Sequence, residues 1–431
     1  GWALLLDYVV TIAISAYSIG PYLGNFLPFL KTTIGNIPFT LLALGALLGL
    51  NVIGIKESTR VSFLLAVFGV VTQLTIITIG VIFLMEIVQP EQFIAHVKQL
   101  WFHLQVGLPD SAWSPTWENF WKGVGMAMVA YIGIESISQL AGEARHPNRT
   151  IPRAMIATTV TLFVLYFGTS IIALTAMSPQ ELTTGYLENP LAGIAAFMPF
   201  GQYLVPWVGF LGATILFVAA NAGLIGASRL TFAMSEHFAL PRALYRLHPR
   251  FKTPYISLIV FTVLAGGIVL VARRLTHIAE LYNFGAMLSF ALAHLSLIGL
   301  RIRQPGLPRP FKVGWNIHFG RYEIPLTSIL GLLGTTAVWV DVILTKPAGR
   351  NFGFLWMGVG LTAYFWYRHQ QRLSPTARVE IEKLHMPGYQ PVHVKRILVP
   401  TTGAHTSDMI QFAAKLAKTH GAQLTALHVI E

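Results

Sequence analysis

Apolar residues along this chain come in long unbroken runs, not in the one-sided stripe of a water-facing helix or the alternation of a half-buried strand. Runs of about 20 residues, enough to carry a helix across about 30 Å of hydrocarbon, begin near Trp2, Asn36, Val61, Trp117, Pro152, Tyr203, Pro254, Ile278, Tyr322 and Asn351. In lipid the backbone is satisfied only inside a helix or a closed barrel. Barrel strands alternate in polarity over about ten residues, which these runs do not. The pattern predicts an all-α polytopic membrane protein of ten spans over residues 1–370, then a polar, Pro-bearing linker over 371–392. In the remaining stretch, 393–431, the period changes: segments 395–400, 407–420 and 423–430 read as strand, helix, strand, the opening of an α/β domain. The first run starts at once after Gly1, so a further segment is expected upstream of it.

Composition agrees with the runs. Hydrophobic residues make up 54% of the 431 positions and charged ones 11%, too little polar surface for two or three soluble domains. The net charge of +12 does not mark a nucleic-acid partner, because Lys and Arg sit in short clusters between the runs. Those clusters orient the chain. One set of alternate connections carries Lys56 and Arg60; Arg145, Arg149 and Arg153; Arg242, Arg246, Arg250 and Lys252; then Arg301, Arg303, Arg309, Lys312 and Arg321. The other carries Lys31, Lys98, Lys122, Arg273, Arg274, Lys346 and Arg350. The richer set is cytoplasmic by the positive-inside rule, which places the C-terminus in the cytoplasm and the protein, multi-pass, in the cell (inner or plasma) membrane. The sequon Asn148-Arg149-Thr150 then lies on the cytoplasmic side and reads as loop. With Cys absent and no HExxH or GxSxG motif, nothing supports an enzyme or a metal site.

The fourth run carries the candidate chemistry. After a small, apolar stretch over 123–130, Tyr131-Ile132-Gly133-Ile134-Glu135-Ser136-Ile137-Ser138 puts a glycine, a carboxylate and two hydroxyls near mid-span. A charge at the bilayer centre costs about 3 kcal/mol on insertion scales, so an intramembrane Glu is a functional candidate; the plainer reading is a protonated Glu bonded to a neighbouring helix. Asp7, His294 and Asp341 are the other ionisable groups within spans, and a lone His in a helix usually just packs. Asn221, Ser228 and Arg229 interrupt the sixth run, where Gly223 and Gly226 suit close helix packing.

Residues 130–154, AYIGIESISQLAGEARHPNRTIPRA, resemble the sixth helix and following loop of the amino acid-polyamine-organocation transporter superfamily, with Glu143, Pro147, Arg149, Ile151 and Pro152 in the matching loop and helix start. GIKESTR at 54–60 and GASRLTFAMSEHFALP at 226–241 agree, and the resemblance covers about residues 1–370. It implies a LeuT-type five-helix inverted-repeat fold in which the ten runs are helices three to twelve, with the first two lying before Gly1. It also implies secondary active transport of an amino acid or related amine by alternating access; the alternative is a non-transporting amino acid sensor that signals through its cytoplasmic domain. By the same resemblance the substrate meets Val129, Tyr131, Ile132, Gly133, Ile134, Glu135, Ala222 and Gly223, with Tyr131 as aromatic lid, Gly133 permitting the break and Glu135 coupled to helix movement. Coupling or gating would involve Tyr131, Glu135, Gly69 and Gln73. Gly69 stands where proton-coupled relatives carry a Lys, leaving only Thr72 and Gln73 as polar neighbours, so the coupling ion, H+ or Na+, stays open. VKRILVPTTG and GAQLTALHVIE resemble the start of a universal stress protein domain, a doubly wound α/β module. Thr401 and Thr402 replace the acidic residue of its ATP-binding members, so no cofactor is expected. The partners implied are the substrate and the lipid bilayer, with oligomeric state left open.

Overall fold

The computed structural model describes residues 1–54, 56–87, 117–131, 133–139, 141, 144–176, 186, 189–198, 200–272, 275–320, 322–375, 395–400 and 406–427. The chain divides into two compact units, residues 1–378 and 379–431. Among the expected features, Lys98, Ile132, Glu143, Arg273, Arg274, Arg321, Thr401, Thr402 and most of the linker lie outside the described residues.

Among the described residues of the first unit, eight helices are long and apolar enough to cross a membrane. They belong to α1 (Trp2–Leu23), α2 (Thr33–Ile53), α3 (Lys56–Ile87), α6 (Pro147–Ala176), α8 (Gly201–Glu236), α9 (Tyr255–Ala272), α10 (Leu275–Arg303) and α11 (Leu326–Thr345). Between α6 and α8 lies the short α7 (Pro190–Ala196), begun by Asn189, whose side chain accepts from Ala192 N–H (3.2 Å). The two other runs depart from a plain span. The fourth is divided into α4 (Trp117–Ala127), a 3₁₀ turn (Met128–Tyr131) and α5 (Ser136–Gln139). The tenth, α12 (Pro347–Gln370), is a continuous helix whose ends carry Arg350, Arg368 and His369.

The ninth run also begins differently. Tyr322–Pro325 is a strand, β2, paired antiparallel with β1 (Asn316–Phe319), and α11 starts only after Pro325. Apolar Ile324 had merged the strand with the helix that follows. Glu323 anchors this hairpin, accepting from Lys312 Nζ (2.7 Å), Arg301 (3.3 Å) and Asn316 Nδ2 (2.9 Å). The Lys312 ammonium, helped by the charge of Arg301, holds the Glu323 carboxyl below its usual range.

α1 is the axis of the unit. A helix apolar on all sides is either wrapped by protein or by lipid, and here the two cases separate: 89% of the α1 span is buried inside the protein against 11% for α6. α8, α10, α9, α2 and α12 surround α1. Its Leu5, Leu6, Tyr8 and Val9 join Leu44, Leu224, Phe261, Tyr282 and Phe284 in one core. Close approach of α8 depends on Gly226, where a Cβ would stand 2.7 Å from the Tyr8 ring. Polar pairs fix the register: Asn36 Nδ2 donates to the Tyr17 carbonyl (3.0 Å) and Asn51 Nδ2 to Asn221 Oδ1 (2.6 Å). Trp2 and Trp356 stack at 4.8 Å, each indole donating to the other's carbonyl. A second core of Ile76, Ile172, Ile194 and Val208 joins α3, α6, α7 and α8.

The second unit forms the strand, helix and strand that its periodicity predicts: β3 (Arg396–Pro400), α13 (Thr406–His420) and β4 (Gln423–Leu427). β3 and β4 pair in parallel, from Arg396 opposite Gln423 to Pro400 opposite Leu427, joined by a helical crossover.

Candidate functional site

The break in the fourth span brings the expected residues into one irregular segment. The α4 helix gives way at Met128, and Gly133 takes φ +95°, a conformation L residues with side chains avoid. A Cβ at Gly133 would meet open space, so the glycine answers to backbone geometry and leaves the chain approachable there. The carboxylate two residues on turns back to cap the break: Gly133 N–H donates to Glu135 Oε2 (3.2 Å). Ser136 N–H then donates to the Gly133 carbonyl (3.1 Å) and restarts the helix.

Carbonyls freed by the break find side-chain donors on other spans. Asn283 Nδ2 on α10 donates to the Gly125 carbonyl (2.7 Å), and the Tyr166 hydroxyl on α6 donates to the Ala130 carbonyl. Tyr131, 38% exposed, meets the edge of the Tyr166 ring at 5.9 Å. The irregular backbone is thus held from both sides, the arrangement that lets it persist at membrane depth. Glu135 keeps Oε1 enclosed and without a partner among the described residues, and Ser136 Oγ is in the same position.

The remaining expected residues fall elsewhere. Gly223 packs against Thr11 and Ile12 of α1, while Ala222, its neighbour on α8, is exposed on another face. Gly69 admits the side chain of Ile215 from α8, and Gln73 Nε2 donates to Thr169 Oγ1 on α6 (3.2 Å). Thr72 accepts from the Trp207 indole (3.2 Å). These contacts tie α3 to its neighbours. His294 packs against Gly331 of α11. Ile134 lies within the turn of the break, and of Val129 only the backbone is described.

The structure adds Tyr166, Asn283, Tyr8 and Tyr282, which the sequence reading passed over, and shows the burial of Asp7, named there as an ionisable group within a span. Tyr166 and Asn283 hold the break. Asp7 is fully buried in the second turn of α1, and Tyr8 and Tyr282 are fully buried in the core around that helix. Their signal in the sequence is the polar doublets Asp7-Tyr8 and Tyr282-Asn283, each set in an otherwise apolar stretch. A crevice of about 520 Å³ lined by Val9, Leu264, Ile268, Phe352, Trp356 and others shares no residue with the break; its lining is apolar except for His277.

The amino acid permease family matches residues 1–364. The branched-chain amino acid permease BcaP of Bacillus subtilis (strain 168) is 28% identical over 396 residues, covering 85% of this chain and 75% of the relative. A methylthioribose transporter of the same organism is 27% identical over 393 residues, 86% of this chain and 76% of its own. The BcaP permease of Lactococcus lactis subsp. cremoris (strain MG1363) is 24% identical over 387 residues, 86% and 77% of the two chains. The family match takes in the break and ends at residue 364, ahead of the strand-helix-strand unit, whose likeness to a universal stress protein it leaves without support.

Proposed function

This chain belongs to the amino acid permease family, and on that premise we propose that it carries an amino acid across the cell membrane by alternating access around the break in the fourth span. The observation that carries the reading is the Gly133 turn with its Glu135 cap, a stretch of irregular backbone held within a bundle of spanning helices. Backbone carbonyls of the 129–136 stretch would accept from a substrate ammonium group in exchange for their present partners. Tyr131, at the edge of the turn, would close over it, and movement of α5 would be felt at Glu135. The spans would be paired in an inverted five-helix repeat, with the C-terminal unit in the cytoplasm, a division into a transporting and a smaller domain. The name of the B. subtilis permease makes branched-chain amino acids the first class to try. A match of similar extent to a methylthioribose transporter makes a neutral thioether sugar the second.

The test is uptake into liposomes holding the protein, with radiolabelled leucine and then labelled methylthioribose, against Gly133→Trp. Saturable uptake that the substitution abolishes supports the reading. Binding of leucine with no uptake under any imposed gradient would turn it into a sensor.

A further inference from the structure

The crevice of about 520 Å³ lies between α9, α10 and α12. Val263 and Val271 form its rim, 66% and 80% exposed, while Val9, Ile268 and Leu281 are buried and form its floor. It is therefore continuous with the apolar surface that the spans turn to lipid, yet it reaches down to the axis helix α1. Gly267 lines it, and a Cβ there would meet nothing within 4 Å, so the space beside this glycine is open.

The helices that line the crevice set its length. On α9 the lining runs from Val263 to Ala272, the last residue of the helix; on α12 it runs from Ala348, in the first turn, to Trp356. With a rise of about 1.5 Å per residue these stretches are about 14 and 12 Å long. Each is close to half of the roughly 30 Å hydrocarbon core. The helix ends also meet: His277 Nδ1 lies 3.3 Å from the Ala272 carbonyl on α9, and Gly349 of α12 packs on the Glu280 carbonyl of α10. The crevice thus starts where three helices end or begin and runs about one leaflet deep, the reach of a single acyl chain.

Its chemistry differs along that length. The lining is apolar except for His277, which stands at the end where α9 stops, and Trp356 at the far end gives its indole N–H to the Trp2 carbonyl (3.2 Å). Lys346 precedes α12 at the His277 end. Arg350 is turned to α11, donating to the Ile343 carbonyl (3.2 Å), and Glu280 is the acid on the same turn of α10 as His277. Water finds no partners in an apolar space, and an empty one forfeits the dispersion contacts of its walls. A hydrocarbon chain with an anionic group at its outer end meets both conditions.

We propose that this crevice is a phospholipid site, which takes one acyl chain between α9 and α12 down to Val9 of the axis helix and holds the phosphate at His277 and Lys346. The proposal rests on the placement of the spans in a bilayer and not on the transport reading. A chain seated there ties α9 and α12 to α1, so the bound lipid stabilises the bundle.

Gly267→Leu tests it, because the added side chain enters the open space and takes the place of the lipid; Gly358→Leu on α12, where a Cβ also meets nothing within 4 Å but outside the crevice, is the control. Native mass spectrometry of protein extracted in mild detergent should show a phospholipid on the wild type and on Gly358→Leu, and its loss from Gly267→Leu. After lipid is stripped with excess detergent, dioleoylphosphatidylglycerol should raise the melting temperature of the wild type and Gly358→Leu by several degrees and leave Gly267→Leu unmoved. Retention or a rise in Gly267→Leu equal to that of the wild type overturns the site. A wild type that carries detergent or free fatty acid and no phospholipid overturns it too, whether or not Gly267→Leu folds. Dioleoylglycerol, which has the chains without the phosphate, should raise the wild-type melting temperature less; an equal rise overturns the role of His277 and Lys346.

Discussion

Gly226→Ala should destabilise the protein by overpacking the contact between its axis and α8. The added methyl would lie 2.7 Å from Tyr8 Cε1, 2.8 Å from Cζ and 3.2 Å from Oη. Contacts under 3 Å need something to move. A flexible side chain would swing away at little cost, but the Tyr8 ring is fully buried among Leu5, Leu6 and Tyr282, and α8 packs along the length of α1. The strain therefore falls on helix separation, and overpacking a close-packed interior costs about 1–3 kcal/mol. The opposing gain is small, since Ala over Gly within a helix is worth roughly 0.5–1 kcal/mol. Gly45→Ala on α2 isolates that gain, because its Cβ would meet nothing within 4 Å. Thermal unfolding in one detergent, followed by tryptophan fluorescence, should show Gly226→Ala melting several degrees below the wild type and Gly45→Ala at or slightly above it. Equal melting of the two would mean that Tyr8 yields freely and that α1 is not held as described.

Other substitutions probe the register, the break and the hairpin. A double-mutant cycle with Asn51→Leu and Asn221→Leu should give a coupling near 0.6 kcal/mol and no more than about 1.7, the range for hydrogen bonds between membrane helices, read from the same melts. Tyr166→Phe leaves the Ala130 carbonyl without its donor and should cost about 0.5–1.5 kcal/mol with a loss of leucine uptake; unchanged uptake would show that the break is held without it. Gly133→Ala places a side chain at φ +95° and should cost about 1–3 kcal/mol from backbone strain alone, since the space beside it is open. For the hairpin, the sign follows from the lowered carboxyl of Glu323: its contribution is present above the ordinary carboxylate range and is lost as pH falls through the depressed value. Protease cutting near residues 316–325 should thus be slower in the wild type than in Glu323→Gln at neutral pH, and the difference should vanish in acid.

The spans were legible because hydrocarbon demands long apolar helices, and that demand is written in composition alone. The break was legible because Gly133 and Glu135 are unfavourable inside a straight span and gain from leaving it. Packing was not legible to the same degree. α1 and α6 read alike as apolar runs, and only the assembled bundle distinguishes the helix wrapped by protein from the one facing outward. The β1–β2 hairpin was hidden for a related reason: Ile324 and Pro325 continue the apolar run of α11 in sequence while belonging to a strand in space. Gly69 and Gln73 were singled out by comparison with an absent lysine, yet their contacts are those of helix packing.

Asp7 shows most clearly what a linear reading leaves out. Taken alone, an acid in the second turn of a helix looks like a residue close to water, with an easy route to solvation. Its burial follows from the position of α1 at the axis of the bundle. The cost of burying an unpaired carboxylate is several kcal/mol, far above what the Thr11 hydroxyl returns. A fold that accepts such a cost at Asp7 is stabilised elsewhere, by the apolar core that wraps α1. Replacing Asp7 by Asn should therefore raise thermal stability, read as a higher melting temperature in the same detergent. An Asp7→Asn protein that melts below the wild type would show that the carboxylate is structural and that its burial is compensated within the core around α1.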